Sequence, residues 1–229
     1  MISDNGFVDV LLFLAVLLPS VVLHEVSHGA VAERLGDPTA RRAGRITLNP
    51  IRHLDPVGSL LFPAVLAVAG QGVWGWARPV PVQPAHFRHP TRGMAGVALA
   101  GPAANLALAA VAARLGPFVD LRAAGGFVAG SPAIYWPGLE IGSTTGALWA
   151  RVLFAFVLVN CSLAVFNLLP IPPLDGSRLV PLALPARGRE AFDRLAPYGF
   201  LALFLVVVAF PGALSFIGDA VGWLLRLFV

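Results

Sequence analysis

The sequence predicts an all-α polytopic membrane protein, with about four to five transmembrane helices, a re-entrant segment and one short β element. Three observations carry this. The 229 residues are 57% apolar and only 12% charged, whereas a soluble domain is about half apolar and a quarter charged. Apolar runs recur along the chain at 8–32, 56–76, 93–114, 147–169 and 195–217, with an apolar tail at 221–229; a bilayer crossing takes about 20 residues at about 1.5 Å each. All 16 basic residues are arginines, gathered mostly between those runs. That is a topology signal, and with no aromatic-interleaved basic patch it excludes a nucleic-acid partner. The single Cys161 lies in an apolar run, which leaves neither a disulfide framework nor a thiolate metal site. With no room for a soluble module, residues 1–229 read as one membrane domain, its core at 8–180 and a C-terminal helix and tail at 195–229.

The first run, 8–32, lacks the basic start of a cleaved signal peptide and reads as the first crossing, N-terminus outside. It contains His24-Glu25-Val26-Ser27-His28. On a helix the two histidines lie one turn apart on one face, so both imidazoles can grip one zinc ion while Glu25 acts as general base. The plainer reading is a buried polar pair near the interface. Three ionisable groups in an apolar segment are each costly, however, and mark function.

Ile46-Thr47-Leu48-Asn49 alternates between Gly44 and Pro50 and reads as the short β element, an extended edge to which an unwound peptide could add as a strand. The run 56–76 is interrupted by Pro56, Pro63, Gly70 and Gly72. Broken backbone at membrane depth must be sheltered by protein or line a cavity, which favours a re-entrant segment. The arginines agree. With a re-entrant 56–76, Arg34, Arg41, Arg42, Arg45, Arg52, Arg78, Arg88, Arg92, Arg178, Arg187, Arg189 and Arg194 share the side of the histidines, against Arg114, Arg122, Arg151 and Arg226; a full crossing puts seven arginines outside against nine on the histidine side, in place of four against twelve. The excess puts the metal toward the cytoplasm.

Pro79, Pro81, Pro84 and Pro90 make 76–91 an ordered loop. The crossing at 93–114 holds Gly101-Pro102-Ala103-Ala104-Asn105, small residues that permit close helix approach with one amide able to bridge helices or support the site. The stretch 115–146 is a Gly-, Pro- and Ala-rich loop with a short helix near 118–124. The crossing at 147–169 runs into prolines that end it and return the chain stiffly to Asp175-Gly176.

Zinc needs a third protein ligand and keeps a fourth position for water. Asp175, His53, His86 and His89 are the candidates, and Asp175 leads because its rigid approach presents one carboxylate at the membrane edge. His53 reads better as an outer hydrogen-bond donor or a cap, and His86 and His89 as interfacial anchors. Asn167 lies eight residues before Asp175, near enough to donate to the oxygen that turns negative when water adds to a peptide carbonyl; helix packing is its plainer role. Ser27, Asn160 and Ser162 read as interhelical hydrogen-bonders.

In order along the chain, His24-Glu25-Val26-Ser27-His28-Gly29, Gly101-Pro102-Ala103-Ala104-Asn105 and Asn167-Leu168-Leu169-Pro170 through Leu174-Asp175-Gly176 resemble the three signatures of the site-2 protease family of zinc intramembrane metalloproteases. The resemblance covers roughly residues 8–180. It implies one catalytic Zn2+ held by His24, His28 and Asp175, with Glu25 catalytic and Asn167 near the metal. It implies cleavage of transmembrane protein substrates in the bilayer, often regulatory proteins already trimmed by another protease. Many relatives carry a PDZ or CBS module; this chain resembles the compact bacterial members without them, which share the Gly75-Trp76-Ala77-Arg78-Pro79-Val80-Pro81 loop. A bacterial cytoplasmic membrane location follows, with the site toward the cytoplasm. Two competing classes are a zinc transporter, which would need polar groups along a through-path, and a catalytically silent scaffold, which would not require Glu25.

Overall fold

The computed structural model describes residues 4–61, 76–115, 145–209 and 215–228. Helix α1 (Asp4–Arg34) carries Pro19 in its interior. Proline lacks the N–H that would close an i→i−4 bond, and next to it the Ser20 hydroxyl donates to Val16 O at 2.8 Å. A left-handed Gly36 (φ 105°) ends the helix, a conformation that costs glycine no steric strain. The short α2 (Thr39–Arg42) follows. Helix α3 (Pro90–Leu115) buries Gly93, Val97, Gly101, Asn105, Ala109 and Ala112. Their spacing of three to four residues forms one stripe of small side chains that lets neighbouring helices approach closely.

Helix α4 (Thr145–Asn167) completes the central trio. Contacts fix the directions: His28 meets Val97 and His24 meets Asn105, so α1 and α3 are antiparallel. Val16 packs with Ala155 and Val159, and Asp175 beyond α4 reaches the histidines, so α4 runs with α1. The chain continues through α5 (Val180–Ala183), the amphipathic and largely exposed α6 (Ala186–Leu195), α7 (Gly199–Ala209) and α8 (Ser215–Phe228). Ile217, Val221 and Leu225 of α8 pack with Leu203 of α7, Leu153, Phe154 and Val157 of α4, and Ala109 and Ala112 of α3. Leu14, Leu18, Leu99 and Val111 stand exposed on the outer faces of α1 and α3, where lipid would cover them.

The predicted four to five crossings and β element are not found among the described residues. Among the described residues, two helices are long and apolar enough to cross a membrane, Leu12–Arg34 and Pro90–Leu115. The run 147–169 is helical to Asn167 and is not one of those two. Of the run 195–217, the described residues form a 3₁₀ turn at Ala196–Tyr198, helix α7 and the start of α8, and 210–214 lie outside them. No β-strand occurs among the described residues. The backbone of 46–49 finds no partner strand among the described residues; it bonds to side chains instead, with Thr47 O bonded to His53 Nε2 at 2.9 Å and Asn49 N donating to Thr47 Oγ1 at 3.2 Å. Of 56–76, Pro56–Leu61 forms a π-helical turn whose first N–H groups, on Val57 and Gly58, are capped by Asp55. Residues 62–75 and the short helix expected near 118–124 lie outside the described residues.

Candidate metal centre

His24 and His28 leave α1 one turn apart, and both are buried against α3. Their outward partners decide their protonation. His24 Nδ1 lies 2.6 Å from Asn105 Oδ1. The Asn105 amide nitrogen donates to Asn160 Oδ1 at 2.8 Å and to Ser20 O at 3.4 Å, so the oxygen facing His24 is an acceptor and Nδ1 of His24 carries the proton. His28 Nδ1 lies 2.7 Å from the carbonyl of Val97, which can only accept. The tautomers assigned by this network leave both Nε2 atoms as bare lone pairs.

Those two atoms lie 3.1 Å apart, and Asp175 Oδ2 is 3.1 Å from one and 3.2 Å from the other. Asp175 Oδ2 is buried and has no hydrogen-bond donor. Three acceptors facing one another repel unless a cation lies between them. The separations are close to the edge of a tetrahedron around zinc, about 3.3 Å for bonds of about 2.0–2.1 Å. Among the described residues this is the one group of three His, Cys, Asp or Glu side chains that could hold a metal. Asp175 reaches it because the chain folds back on the end of α4. A Cβ at Gly176 would fall 2.1 Å from Leu168 O, so only glycine allows the return.

Glu25 is half-buried, and its Oε2 accepts from the N–H of Val80 at 2.9 Å. Asn167 donates to Leu163 O of its own helix at 2.9 Å. Ser27 likewise bonds within its helix, to Leu23 O at 2.7 Å, and not between helices as expected. Asn160 does link helices, donating to Ser20 Oγ at 2.9 Å. His53 is buried away from the cluster, and His86 and His89 are exposed and outside it.

Sequence reasoning missed several participants. Gly101 was read as a packing residue, yet a Cβ there would lie 2.6 Å from both Nε2 atoms. Asp37, 0% exposed, was not singled out. It receives Gln83 N at 2.6 Å, Thr39 N at 3.0 Å, the Thr39 hydroxyl, and His86 Nδ1 at 2.7 Å. Burial pushes its carboxyl up, but these donors outweigh that and hold it at about 2. Thus Asp37 ties the proline-rich segment 79–86 to the end of α1. A charged residue before Pro38 carries no mark of burial in the sequence, so no local signal separated it from a solvated turn.

The model of the peptidase family M50 matches residues 82–210. A Bacillus subtilis protein named as a zinc metalloprotease, YwhC, is 36% identical over 195 residues, 85% of this chain and 78% of its own length. Two proteins named as zinc metalloprotease Rip2 are also similar. The one from Mycolicibacterium smegmatis is 32% identical over 199 residues, 86% of this chain and 67% of its own. The one from Mycobacterium tuberculosis H37Rv is 34% identical over 195 residues, 84% and 64%. No solved structure gives a significant match.

Proposed function

The chain belongs to peptidase family M50 and is a zinc-dependent intramembrane metalloprotease of a bacterial membrane; from that premise we propose that His24, His28 and Asp175 hold the ion and Glu25 is the general base. The observation that carries the assignment is the meeting of His24 Nε2, His28 Nε2 and Asp175 Oδ2 at 3.1–3.2 Å from one another. Two imidazoles and one carboxylate suit Zn2+ and leave a position for water. Bound there, zinc supplies Lewis acidity that brings the pKa of water toward neutrality.

Glu25 takes a proton from the attacking water as its oxygen bonds to the peptide carbonyl carbon. The same carboxyl then gives that proton to the amide nitrogen as the C–N bond breaks. Asn167 is assigned the developing oxyanion; its amide must first turn from Leu163 O. His24 and His28 keep their Nδ1 protons on Asn105 and Val97 throughout, which holds both rings in one orientation.

The substrates are transmembrane proteins. A transmembrane helix ties up its own carbonyls, so the segment to be cut must unwind before it can be attacked. An apolar groove of about 240 Å³, lined by Leu18, Pro19, Val22 and Leu23 of α1 with Leu48 and Pro50, offers such a segment an apolar seat. The site faces the cytoplasm. Eight arginines, from Arg34 to Arg92, lie between the end of α1 and the first turn of α3, at the metal end, and this supports that orientation.

The test is cleavage of a panel of detergent-solubilised transmembrane peptides by the purified full chain and by Glu25→Gln, with bound zinc quantified in both. Zinc in both and cleavage by wild type alone is the expected result. Normal cleavage by Glu25→Gln overturns the role of Glu25, and zinc flux in proteoliposomes without proteolysis would favour a transporter.

A further inference from the structure

Arg45 is 7% exposed, and none of the ion pairs among the described residues involves it. A buried guanidinium without a carboxylate partner is costly, and no catalytic step above uses it. Its Nη2 donates to the carbonyl of Arg78 and, at 3.4 Å, to the carbonyl of Pro79. The Pro79 carbonyl and the Val80 N–H are two ends of one peptide unit, and that N–H is the donor to Glu25 Oε2. Because the unit is planar, fixing its oxygen fixes the direction of its N–H.

The surrounding contacts leave this peptide little freedom. Upstream, Arg78 N donates to His53 O at 2.8 Å. Downstream, Gln83 N is held by Asp37. Pro79 and Pro81 restrict φ on either side of Val80. A Cβ on Gly29 of α1 would meet Val80 Cγ1 at 3.2 Å, so Val80 sits tightly over the helix that carries Glu25.

We propose that Arg45 is a positioning residue for peptide hydrolysis: it holds the 79–80 peptide so that the Val80 N–H occupies one oxygen of Glu25 and aims the other at the reacting water. This rests on Glu25 as general base. Arg45 acts through the backbone carbonyls of Arg78 and Pro79, and its contribution belongs to the turnover step. Substrate and metal binding do not depend on it.

The test measures kcat, KM and zinc affinity, by competition with a chromophoric chelator, on the full chain in detergent. The variants are Arg45→Met, Arg45→Lys, Glu25→Gln, and a chain with Val80 replaced by its α-hydroxy acid, which puts an ester oxygen in place of the N–H. Arg45→Met and the Val80 ester are each expected to lower kcat about 10- to 100-fold, with KM and zinc affinity within about two-fold of wild type. Together they should cost no more than either alone, and Arg45→Lys should recover part of the loss. An ester at full kcat, with Glu25→Gln inactive, overturns the positioning role while leaving Glu25 as base. Loss of zinc affinity in step with kcat in Arg45→Met assigns Arg45 to the framework instead and also overturns it. Full activity of Glu25→Gln removes the base and this inference together. Should Arg45→Met fail to fold, the ester decides.

Discussion

Gly101 lies directly against His24, so close that a Cβ on it would stand 2.5 Å from Cε1 of the imidazole and 2.6 Å from Nε2. The backbone of α3 is the wall of the metal cluster, and the absent side chain leaves room for it. Gly101→Ala is therefore expected to abolish zinc binding or weaken it by orders of magnitude, although alanine is the better helix former by about 1 kcal/mol. Helicity by circular dichroism should be retained while zinc content falls; full zinc content in a folded Gly101→Ala protein would refute the packing argument.

Asn105 should matter to the metal through His24. Asn105→Leu removes the acceptor that fixes the His24 tautomer and takes the Asn105 donor from Asn160 Oδ1. Loss of such an outer partner costs about 10- to 100-fold in metal affinity or activity. A competition titration should find weaker zinc binding in Asn105→Leu, and smaller effects in Asn160→Leu, which touches the histidine only through Asn105.

Metal removal should loosen the packing of α1 against the end of α4, because three acceptors would then repel across that junction. Zinc at about 1,000 times its Kd should stabilise the fold by about 4 kcal/mol, read as a rise in Tm in detergent. In Asp175→Ala the rise should shrink greatly. An undiminished rise in that variant would mean that zinc binds elsewhere.

Asp37 gives a prediction in pH. Its folded-state carboxyl is held at about 2 against an ordinary value near 4, so the ionised form is favoured by folding. The stabilisation, about 2 kcal/mol, is complete above about pH 4 and is lost as pH falls toward 2. Asp37→Asn should lower Tm at neutral pH, and its gap from wild type should close as the pH falls through that window. A gap unchanged down to pH 2 would show that ionisation of Asp37 contributes nothing.

Much of the candidate site was legible because its parts are local. His24, Glu25 and His28 share one turn, and the periodicity of a helix alone puts two imidazoles side by side. Asp175 was legible at longer range, because prolines at 170, 172 and 173 and a glycine at 176 announce a stiff return. The crossings were less legible. Hydropathy counts apolar residues but does not see where a helix changes form, and the run 195–217 opens on a 3₁₀ turn at Ala196–Tyr198. The β element failed for a related reason: alternation over four residues describes a strand only if another strand is there to pair with it.

The sequence by itself determined the chemistry available to this protein: an apolar chain, a histidine pair with a glutamate between, and one acidic residue on a rigid return. Tertiary structure decided what those groups face. Only the antiparallel packing of α3 on α1 gives His24 and His28 their acceptors and thereby bares their lone pairs, and only the fold of 76–87 brings Arg45 and Asp37 to the backbone that holds Glu25. The physical reason is range. A helical turn sets its own geometry within four residues, whereas burial of a charge and the direction of a proton depend on neighbours far along the chain, which no local pattern encodes.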